Sequence, residues 1–281
     1  HHPDPTDAAG LVRIAAAYRP TVVFTTPTFF SYMLGAGEPE ELQSLRIVVT
    51  GAEKCPDALF DRCNKELPES IIVEGYGITE CSPVVAVNAP DDVRQGTVGR
   101  PLAGVEVCIV HPETKTPQPQ HEPGLLLVRG PSIFDGYLNY EGPDPFIEFD
   151  GKRWYNTGDL VRIDEDGRIH FQGRLKRFLK AGGEMISLPA LEEPFATLFP
   201  PTEDGPQIAV EGIETPDGRH IVLFSVIDIS LRDANTILAE AGFRGVMRLD
   251  ATRRIESMPV LGTGKTDYKE LRRMVVESLD S

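Results

Sequence analysis

Three segments in the N-terminal third of the sequence combine small residues with hydroxyl and carboxylate side chains. Each follows an apolar run, and they comprise residues 26–28, 51–53 and 75–80. In the third segment the glycines permit close backbone approach to a ligand, and Tyr76 offers an aromatic face. Thr79 and Glu80 supply a hydroxyl and a carboxylate, which suit phosphate and Mg²⁺. These residue types predict a nucleotide site, although an ordinary strand-to-helix turn has the same composition.

Two further segments carry polar groups that suit a nucleotide. Gly158 permits a tight turn, and Asp159 could accept hydrogen bonds from two ribose hydroxyls. Near the C-terminal end, the loop at 259–266 presents Lys265 beside glycines, with spacing too short for a Walker-type phosphate loop. Considered alone, an Asp after Thr and Gly is more often simple turn chemistry, and a surface turn with a solvated lysine is common.

The elements that must position these residues begin with buried parallel strands. Continuous apolar runs predict strands at 21–25, 46–50 and 70–74, and helical patterns lie between them at 28–34 and 56–66. Ligands bind beyond the carboxyl ends of the strands in open parallel sheets. We therefore expect an α/β fold over residues 1–92, with the three N-terminal segments converging on one crevice.

The pattern changes at about Val93 to short β-rich runs interrupted by proline and glycine. We expect a small β subdomain over 93–175, closed by a hairpin that turns at 164–167. Its other strands are predicted at 106–110 and 125–129.

A basic stretch with Gly182 and Gly183 follows this subdomain and indicates a domain boundary, which we place at Lys176. Domain one is then 1–175, and residues 176–281 form a compact α+β domain. Its strands are predicted near 207–212 and 221–228, and its helices are capped by Ser230 and Asp267.

Composition excludes several classes of protein. The 281 residues carry 28 basic and 43 acidic side chains, a net charge of -15, which argues against an electrostatic nucleic-acid surface. The 4 cysteines lack metal-ligand spacing, so a reduced cytoplasmic protein without structural zinc is expected. No apolar run approaches the ~18 residues that span a bilayer. Membrane contact, at the inner face of a membrane, is expected only through a part of the parent chain outside this sequence.

In this order, the segments resemble the acyl-adenylate-forming (AMP-binding) superfamily of acyl-CoA synthetases, acyl-carrier-protein synthetases, adenylation domains and luciferases. The runs at 96–101 and 173–176 carry the resemblance further, and it covers nearly the whole chain. Residues 3–8 and 176–187 resemble in particular the bifunctional 2-acylglycerophosphoethanolamine acyltransferase/acyl-acyl-carrier-protein synthetase family.

The resemblance implies that the first domain holds ATP and AMP. Tyr76 would stack on the adenine, and Asp159, aided by Arg174, would hold the ribose. Thr79 and Glu80 would act in catalysis at the phosphates, where Glu80 would bind Mg²⁺. The remaining implied nucleotide-binding residues are Gly51, Ala52, Glu53, Gly75 and Gly77.

The implied reaction activates a fatty acid as acyl-AMP and transfers the acyl group to a thiol on acyl-carrier protein or CoA. Lys265 would contact the reacting oxygens in the first step, and Lys176 would be the hinge about which the small domain turns for the second. An aryl- or amino-acid ligase of the same superfamily and a non-catalytic nucleotide-binding module remain alternatives. The family's phosphate loop would precede His1, so we expect these residues to be the C-terminal portion of a ligase, inactive alone.

Overall fold

The protein is described by a computed structural model covering residues 4, 6–119, 121–202, 205–216, 218–261 and 265–279. It divides into two compact units, His1–Gln172 and Gly173–Ser281. The division lies a few residues before Lys176, where the basic stretch suggests a boundary. None of the helices in the ranges above is long and apolar enough to span a membrane.

The first unit opens with a five-stranded sheet in which the strands lie in sequence order. β1 to β3 are parallel, and β4 and β5 add in antiparallel orientation. The strands are β1 (Val22–Thr25), β2 (Ile47–Thr50), β3 (Ile71–Gly77), β4 (Val84–Val87) and β5 (Arg100–Pro101).

Four helices accompany this sheet: α1 (Ala8–Tyr18), α2 (Pro27–Ala36), α3 (Pro39–Leu42) and α4 (Asp57–Glu66). The side chain of Thr26 caps α2 by accepting a hydrogen bond from the amide of Phe29 at 3.2 Å. Phe30, Val48 and Phe60 are buried in the core between the helices and the sheet. α1 and α3 were not expected from the sequence patterns.

The predicted end of β3 is wrong, and the strand predicted near 221–228 in the second unit lies at Gly218–Ser225. The sequence suggests that β3 ends at Glu74 and that a loop begins at Gly75, but the strand continues through Gly77. The reason is β4, which pairs with Gly75, Tyr76 and Gly77 in antiparallel register. A neighbouring strand therefore keeps in extended conformation a segment whose glycines favour a loop.

The second sheet matches the predicted β subdomain. Its order is β10-β9-β7-β6, and β8 pairs with β9. The predicted turn is present: the amide of Gly167 donates to the carbonyl of Asp164 at 2.9 Å. The strands are β6 (Glu106–Val110), β7 (Gly124–Arg129), β8 (Phe146–Phe149), β9 (Lys152–Ile163) and β10 (Ile169–Arg174).

The second unit has an α+β fold. Its strands are β11 (Phe178–Ala181), β12 (Glu184–Ser187), β13 (Ile208–Thr215), β14 (Gly218–Ser225) and β15 (Ala251–Arg254). Its helices are α5 (Leu188–Leu198), α6 (Leu231–Glu240) and α7 (Tyr268–Leu279). β11 pairs with β12, and β13, β14 and β15 form a three-stranded sheet.

Successive side chains of β14 point to opposite faces of this sheet, and both faces are buried. Leu223 packs in one apolar cluster with residues of α5 and α6, whereas Phe224 packs in another with Leu271 and Val275 of α7. Both predicted caps are present. Ser230 accepts from the amide of Asp233 at 3.1 Å, and Asp267 accepts from the amide of Glu270 at 3.1 Å.

Candidate nucleotide-binding site

The carboxyl ends of β1, β2 and β3 lie at one edge of the first sheet. Their last aligned residues are Thr25, Thr50 and Glu74, which are register partners. Beyond them, the carboxylate of Glu53 accepts hydrogen bonds from the hydroxyl of Thr28 at 2.6 Å and from its amide at 3.4 Å. The structure therefore brings together the segments after the first two strands, at the edge where parallel sheets bind ligands.

The segment after β2 lies directly against β3. A Cβ atom on Gly51 would sit 3.3 Å from the carbonyl oxygen of Gly75, so this position favours glycine. Ala52 adopts a left-handed φ of 69°, which is uncommon for a residue with a side chain. The amide of Cys55 donates to Oε1 of Glu74 at 3.4 Å. The amide of Gly51 donates to the carbonyl of Thr25 at 3.3 Å, which fixes the start of the predicted adenine-lining segment against β1.

Glu74 is buried beneath this segment. Its burial raises the pKa of the carboxyl group to about 7, and the hydrogen bond from Cys55 opposes that change only in part. Burial also raises the pKa of the Cys55 thiol to about 12. A proton on Glu74 near neutral pH is the first electrostatic feature of the site that the sequence does not suggest.

Tyr76 and Asp159 meet although they lie on different sheets. The Tyr76 hydroxyl donates to Oδ2 of Asp159, whose side chain is fully buried. The Tyr76 ring packs on Phe171 with ring centroids 5.7 Å apart and an interplanar angle of 32°. Two residues predicted to hold the base and the ribose are therefore joined, and Phe171 is an aromatic neighbour that the sequence analysis missed.

A bulge in β9 positions Asp159, where the sequence suggests a tight turn. Between the pairs Leu125–Leu160 and Leu127–Asn156, β7 has one residue but β9 has three. The hydroxyl of Thr157 donates to the carbonyl of Leu126 at 2.8 Å and accepts from the Asp159 amide at 3.0 Å.

Gly158 supports the bulge by adopting a φ of +71°, which a side chain would disfavour. The expectation of a turn is therefore corrected. The Thr-Gly-Asp sequence lies within a long strand, and the bulge redirects the side chain of Asp159.

Thr79 and Glu80 lie in a short 3₁₀ helix that follows β3. Oε1 of Glu80 accepts a hydrogen bond from the Tyr137 hydroxyl at 2.6 Å. The Glu80 carbonyl also accepts from the amide of Phe134 at 2.9 Å. The loop after β7 therefore holds Glu80 at both its backbone and its carboxylate, while Thr79 is exposed.

The hydrogen bond to Glu80 raises the pKa of Tyr137, because a phenolate beside a carboxylate is disfavoured. The Tyr137 ring is held by further aromatic contacts, with centroids 4.9 Å from Phe134 and 5.1 Å from Tyr140. Tyr137 was missed in the sequence because it is separated from Glu80 by 57 positions and follows no strand directly.

Glu80 fits the carboxylate that a magnesium nucleotide requires. Among residues that the structure describes, no group of three or more His, Cys, Asp and Glu side chains could hold a metal ion by itself. Mg²⁺ with a nucleotide usually needs only one or two carboxylates, since phosphate oxygens and water complete its coordination. The single carboxylate of Glu80 suits that arrangement.

The run at 96–101 has a packing role beside the site. Gly99 has a φ of +79°, and a Cβ atom there would lie 2.1 Å from the carbonyl carbon of Val87. Asn88 donates through Nδ2 to the Thr97 carbonyl at 2.7 Å. These contacts fix β5 against β4, the strand that keeps Tyr76 extended.

The second unit contains Arg174, Lys176 and Lys265. Arg174 and Lys176 are exposed, and Lys265 is half-buried. The loop that carries Lys265 is closed at its base, where the amide of Leu261 donates to the Lys265 carbonyl at 2.7 Å and Val260 pairs with Thr266. The expected glycine contribution at 262–264 lies outside the described residues.

Comparison with known proteins agrees with this arrangement. Residues 1–138 match the family model described as AMP-binding enzyme. The match includes β1 to β3 and the segments that follow them, together with Tyr137.

The chain is also similar to coenzyme A ligases. The chain is 28% identical to 4-coumarate-CoA ligase 1 of Narcissus pseudonarcissus over 273 residues, covering 93% of this chain and 49% of that enzyme. It is 33% identical to a long-chain-fatty-acid–CoA ligase of Escherichia coli O157:H7 over 183 residues, covering 64% of this chain and 32% of that enzyme. The chain thus spans about half or less of the length of these relatives.

The fold is that of adenylate-forming ligases. ATP-bound MatB from Rhodopseudomonas palustris aligns with a TM-score of 0.79 and 25% identity, covering 96% of this chain and 53% of that chain. The predicted fold class is therefore confirmed.

Proposed function

We propose that the whole protein is an AMP-forming acid–thiol ligase. In the first step a carboxylate oxygen attacks the α-phosphorus of ATP, forming acyl-AMP and releasing pyrophosphate. In the second step a thiol attacks the acyl carbon, forming a thioester and releasing AMP. The observation that carries the proposal is the meeting of Tyr76 and Asp159 beside the segment 51–53, within the fold of adenylate-forming ligases.

The first unit would bind the nucleotide. The backbone from Gly51 to Glu53 would line the adenine, beside Tyr76 and the glycines of β3. Asp159 would accept hydrogen bonds from ribose hydroxyls, which requires its carboxylate to be uncovered, because it is fully buried and one of its oxygens accepts from the Tyr76 hydroxyl. Arg174 would assist at the ribose. The relatives include coenzyme A ligases, and one aligned structure contains ATP.

Glu80 and Thr79 would act at the phosphates. Mg²⁺, when bound with the nucleotide, would neutralise phosphate charge, and Glu80 is the residue that would hold it. Tyr137 keeps one oxygen of that carboxylate oriented through its 2.6 Å hydrogen bond. Thr79, exposed beside it, offers a hydroxyl to a phosphate oxygen.

Lys265 would supply a positive charge during formation of acyl-AMP. A preorganised cation near reacting oxygens contributes about 10² to 10³ in rate when it is compared with its deletion. Lys176 would be the hinge, so that the small domain turns between the two steps and the lysine leaves before the thiol arrives.

The carboxylic acid substrate and the thiol that accepts the acyl group can each be proposed from the similarities. We propose a fatty acid as the substrate, supported by the long-chain relative and by the motif resemblance at 176–187. An aryl acid is the alternative, supported by the 4-coumarate relative. For the acceptor we propose CoA, since both relatives are CoA ligases, with acyl-carrier protein as the alternative that the motif resemblance supports. Parallel assays with each acid and each thiol distinguish these cases.

The test is pyrophosphate exchange into ATP by the whole protein, with and without a carboxylic acid. We expect exchange that depends on the acid, and Lys265→Ala should lower it by about 10² to 10³. Transfer from supplied acyl-AMP to the thiol should stay near the wild-type rate. Lys269→Ala, on the exposed surface of α7, is the matched control. Exchange that persists undiminished in Lys265→Ala would contradict the proposed role of this lysine.

A further inference from the structure

A buried charged cluster surrounds the segment that follows Lys176. Arg177 donates through Nη2 to Oε2 of Glu192 at 3.0 Å, and its guanidinium lies 3.5 Å above the ring centroid of Tyr268. The Tyr268 hydroxyl donates to Oε1 of the same Glu192 at 2.6 Å. Arg177, Glu192 and Tyr268 therefore hold one another, and they join the segment after β10 to the first residue of α7.

Arg272 makes a second link between this segment and α7. It donates through Nη2 to the carbonyl oxygen of Lys176 at 2.7 Å and through Nε to Oε1 of Glu211 at 3.1 Å. Glu211 is almost fully buried, and its other oxygen lies 3.6 Å from Nε of Arg177. The planar fork of an arginine can make both bonds at once.

The position of the Lys176 carbonyl matters for rotation at this residue. This carbonyl belongs to the peptide plane between Lys176 and Arg177, which lies after both backbone dihedrals of Lys176. A rotation about either dihedral therefore carries that plane along. Arg272 binds the carbonyl of this peptide plane, and Arg177 supplies its amide. Helix α7 is therefore tied to the peptide plane that directly follows the Lys176 dihedrals.

The lysine loop is attached to the same helix. Lys265 precedes Tyr268, the first residue of α7, by three residues, and the amide of Asp267 donates to the carbonyl of Pro259 at 2.8 Å. Asp267 also caps α7. The segment after Lys176 and the base of the loop that carries Lys265 are thus fixed to one end of one helix.

We propose that Arg177 and Arg272 are positioning residues, which clamp the peptide plane after Lys176 to the start of α7. A rotation at Lys176 is then transmitted to Lys265, because the intervening structure moves as one body. The clamp itself stands on these contacts alone, whereas its consequence for Lys265 rests on the proposed function.

The clamp is tested by limited trypsin digestion of the native 281-residue chain, following cleavage of the Lys176–Arg177 bond by mass spectrometry. The variant is Arg272→Lys, which keeps a positive charge opposite Glu211 and leaves the cleaved Lys176–Arg177 bond unchanged. It loses the planar guanidinium that binds Glu211 and the Lys176 carbonyl together. We expect the cleavage rate to rise by about 10-fold or more, because native-state proteolysis follows local opening.

Arg273→Lys is the matched control, because Arg273 is exposed and, within the described part of the chain, its ion pairs are with Glu270 and Glu277 of α7. Its cleavage rate should remain within about twofold of wild type. Thermal unfolding of each variant separates loss of the clamp from loss of the fold. Arg177→Lys, which loses the stacking on Tyr268, gives a second variant. Equal cleavage rates in wild type and both clamp variants would overturn the proposal.

The consequence for Lys265 is tested by pyrophosphate exchange in the whole protein. Arg272→Lys should lower kcat while the KM for ATP stays within about twofold, since all the proposed nucleotide contacts except Arg174 and Lys265 lie in the first unit. An unchanged kcat together with faster cleavage would show a clamp without influence on Lys265 and would overturn the transmission. Absence of exchange in the wild type would instead contradict the proposed function and leave the proteolysis result standing.

Discussion

Glu74 should make the stability of the first unit depend on pH. Its side chain is only 6% exposed and lies beneath the backbone at Cys55. Burial raises the pKa of this carboxyl group from its ordinary value of 4.5 to about 7, while the amides of Cys55 and Gly96 and the charge of Lys54 oppose the change. Between these two pH values the folded chain keeps a proton that the unfolded chain releases.

The sign follows from this difference in bound protons. Stability contributed by protonated Glu74 is fully present below pH 4.5 and is lost as the pH rises through about 7. The gap between 4.5 and about 7, at about 1.4 kcal/mol per pH unit, corresponds to a loss of about 3 kcal/mol. Glu74→Gln carries no ionisable group, and its amide oxygen can still accept from Cys55, so this variant should lack the dependence.

The assay is urea unfolding between pH 5 and pH 8, followed by the fluorescence of the single tryptophan, Trp154, which is buried in the first unit. The free energy of unfolding of the wild type should fall by about 2 to 3 kcal/mol relative to Glu74→Gln across this range, because the first part of the loss occurs below pH 5. Glu69→Gln, at an exposed position, should follow the wild type. Parallel profiles for wild type and Glu74→Gln would refute the reasoning.

Two further predictions concern the contacts around β3. Ring NMR should show that the pKa of Tyr137 lies above its ordinary value of 10.0, and that Glu80→Gln lowers it, because the neighbouring carboxylate disfavours the phenolate; an unchanged value would mean that the hydrogen bond is absent in solution. Gly99→Ala should lower the free energy of unfolding by about 3 kcal/mol or more, since its Cβ atom would overlap the backbone of Val87, whereas Gly96→Ala, with open space at its Cβ position, should lower it by about 1 kcal/mol. Equal losses in the two glycine variants would show that the contact with Val87 is not limiting.

Local patterns were sufficient for the parallel strands and for the β subdomain. The apolar runs before Thr26 and Gly51 form the predicted parallel strands, but β1 alternates between exposed and half-buried residues, so the expectation that it is buried on both faces is wrong. The predicted end of β3 was wrong because glycine has low strand propensity. Gly75 and Gly77 are kept extended by the pairing with β4. Likewise, the sequence at Gly158 is compatible with a turn or a bulge, and the neighbouring strand β7 decides between them.

The contacts that define the site could not be predicted in the same way. Tyr76 and Asp159 were both predicted to bind the nucleotide. Nothing in the local sequence indicates that their side chains, 83 positions apart, form a hydrogen bond with each other. Tyr137 and Phe171 follow no recognisable pattern, and their roles depend on how the second sheet packs against β3. The link between Arg272 and Lys176, across 96 positions, belongs to the same class of long-range contact.

The central claim is that the first unit holds an adenylate through Asp159. Calorimetric titration of the 281-residue chain with AMP tests it most directly, using wild type, Asp159→Asn and the exposed control Asp91→Asn, each checked by thermal unfolding. We predict that the wild type and Asp91→Asn bind AMP with the same Kd, and that Asp159→Asn raises the Kd by about 10-fold or more, because a charged acceptor of hydrogen bonds is lost. A folded wild type that binds no AMP, or an Asp159→Asn variant that binds it equally well, would contradict the account.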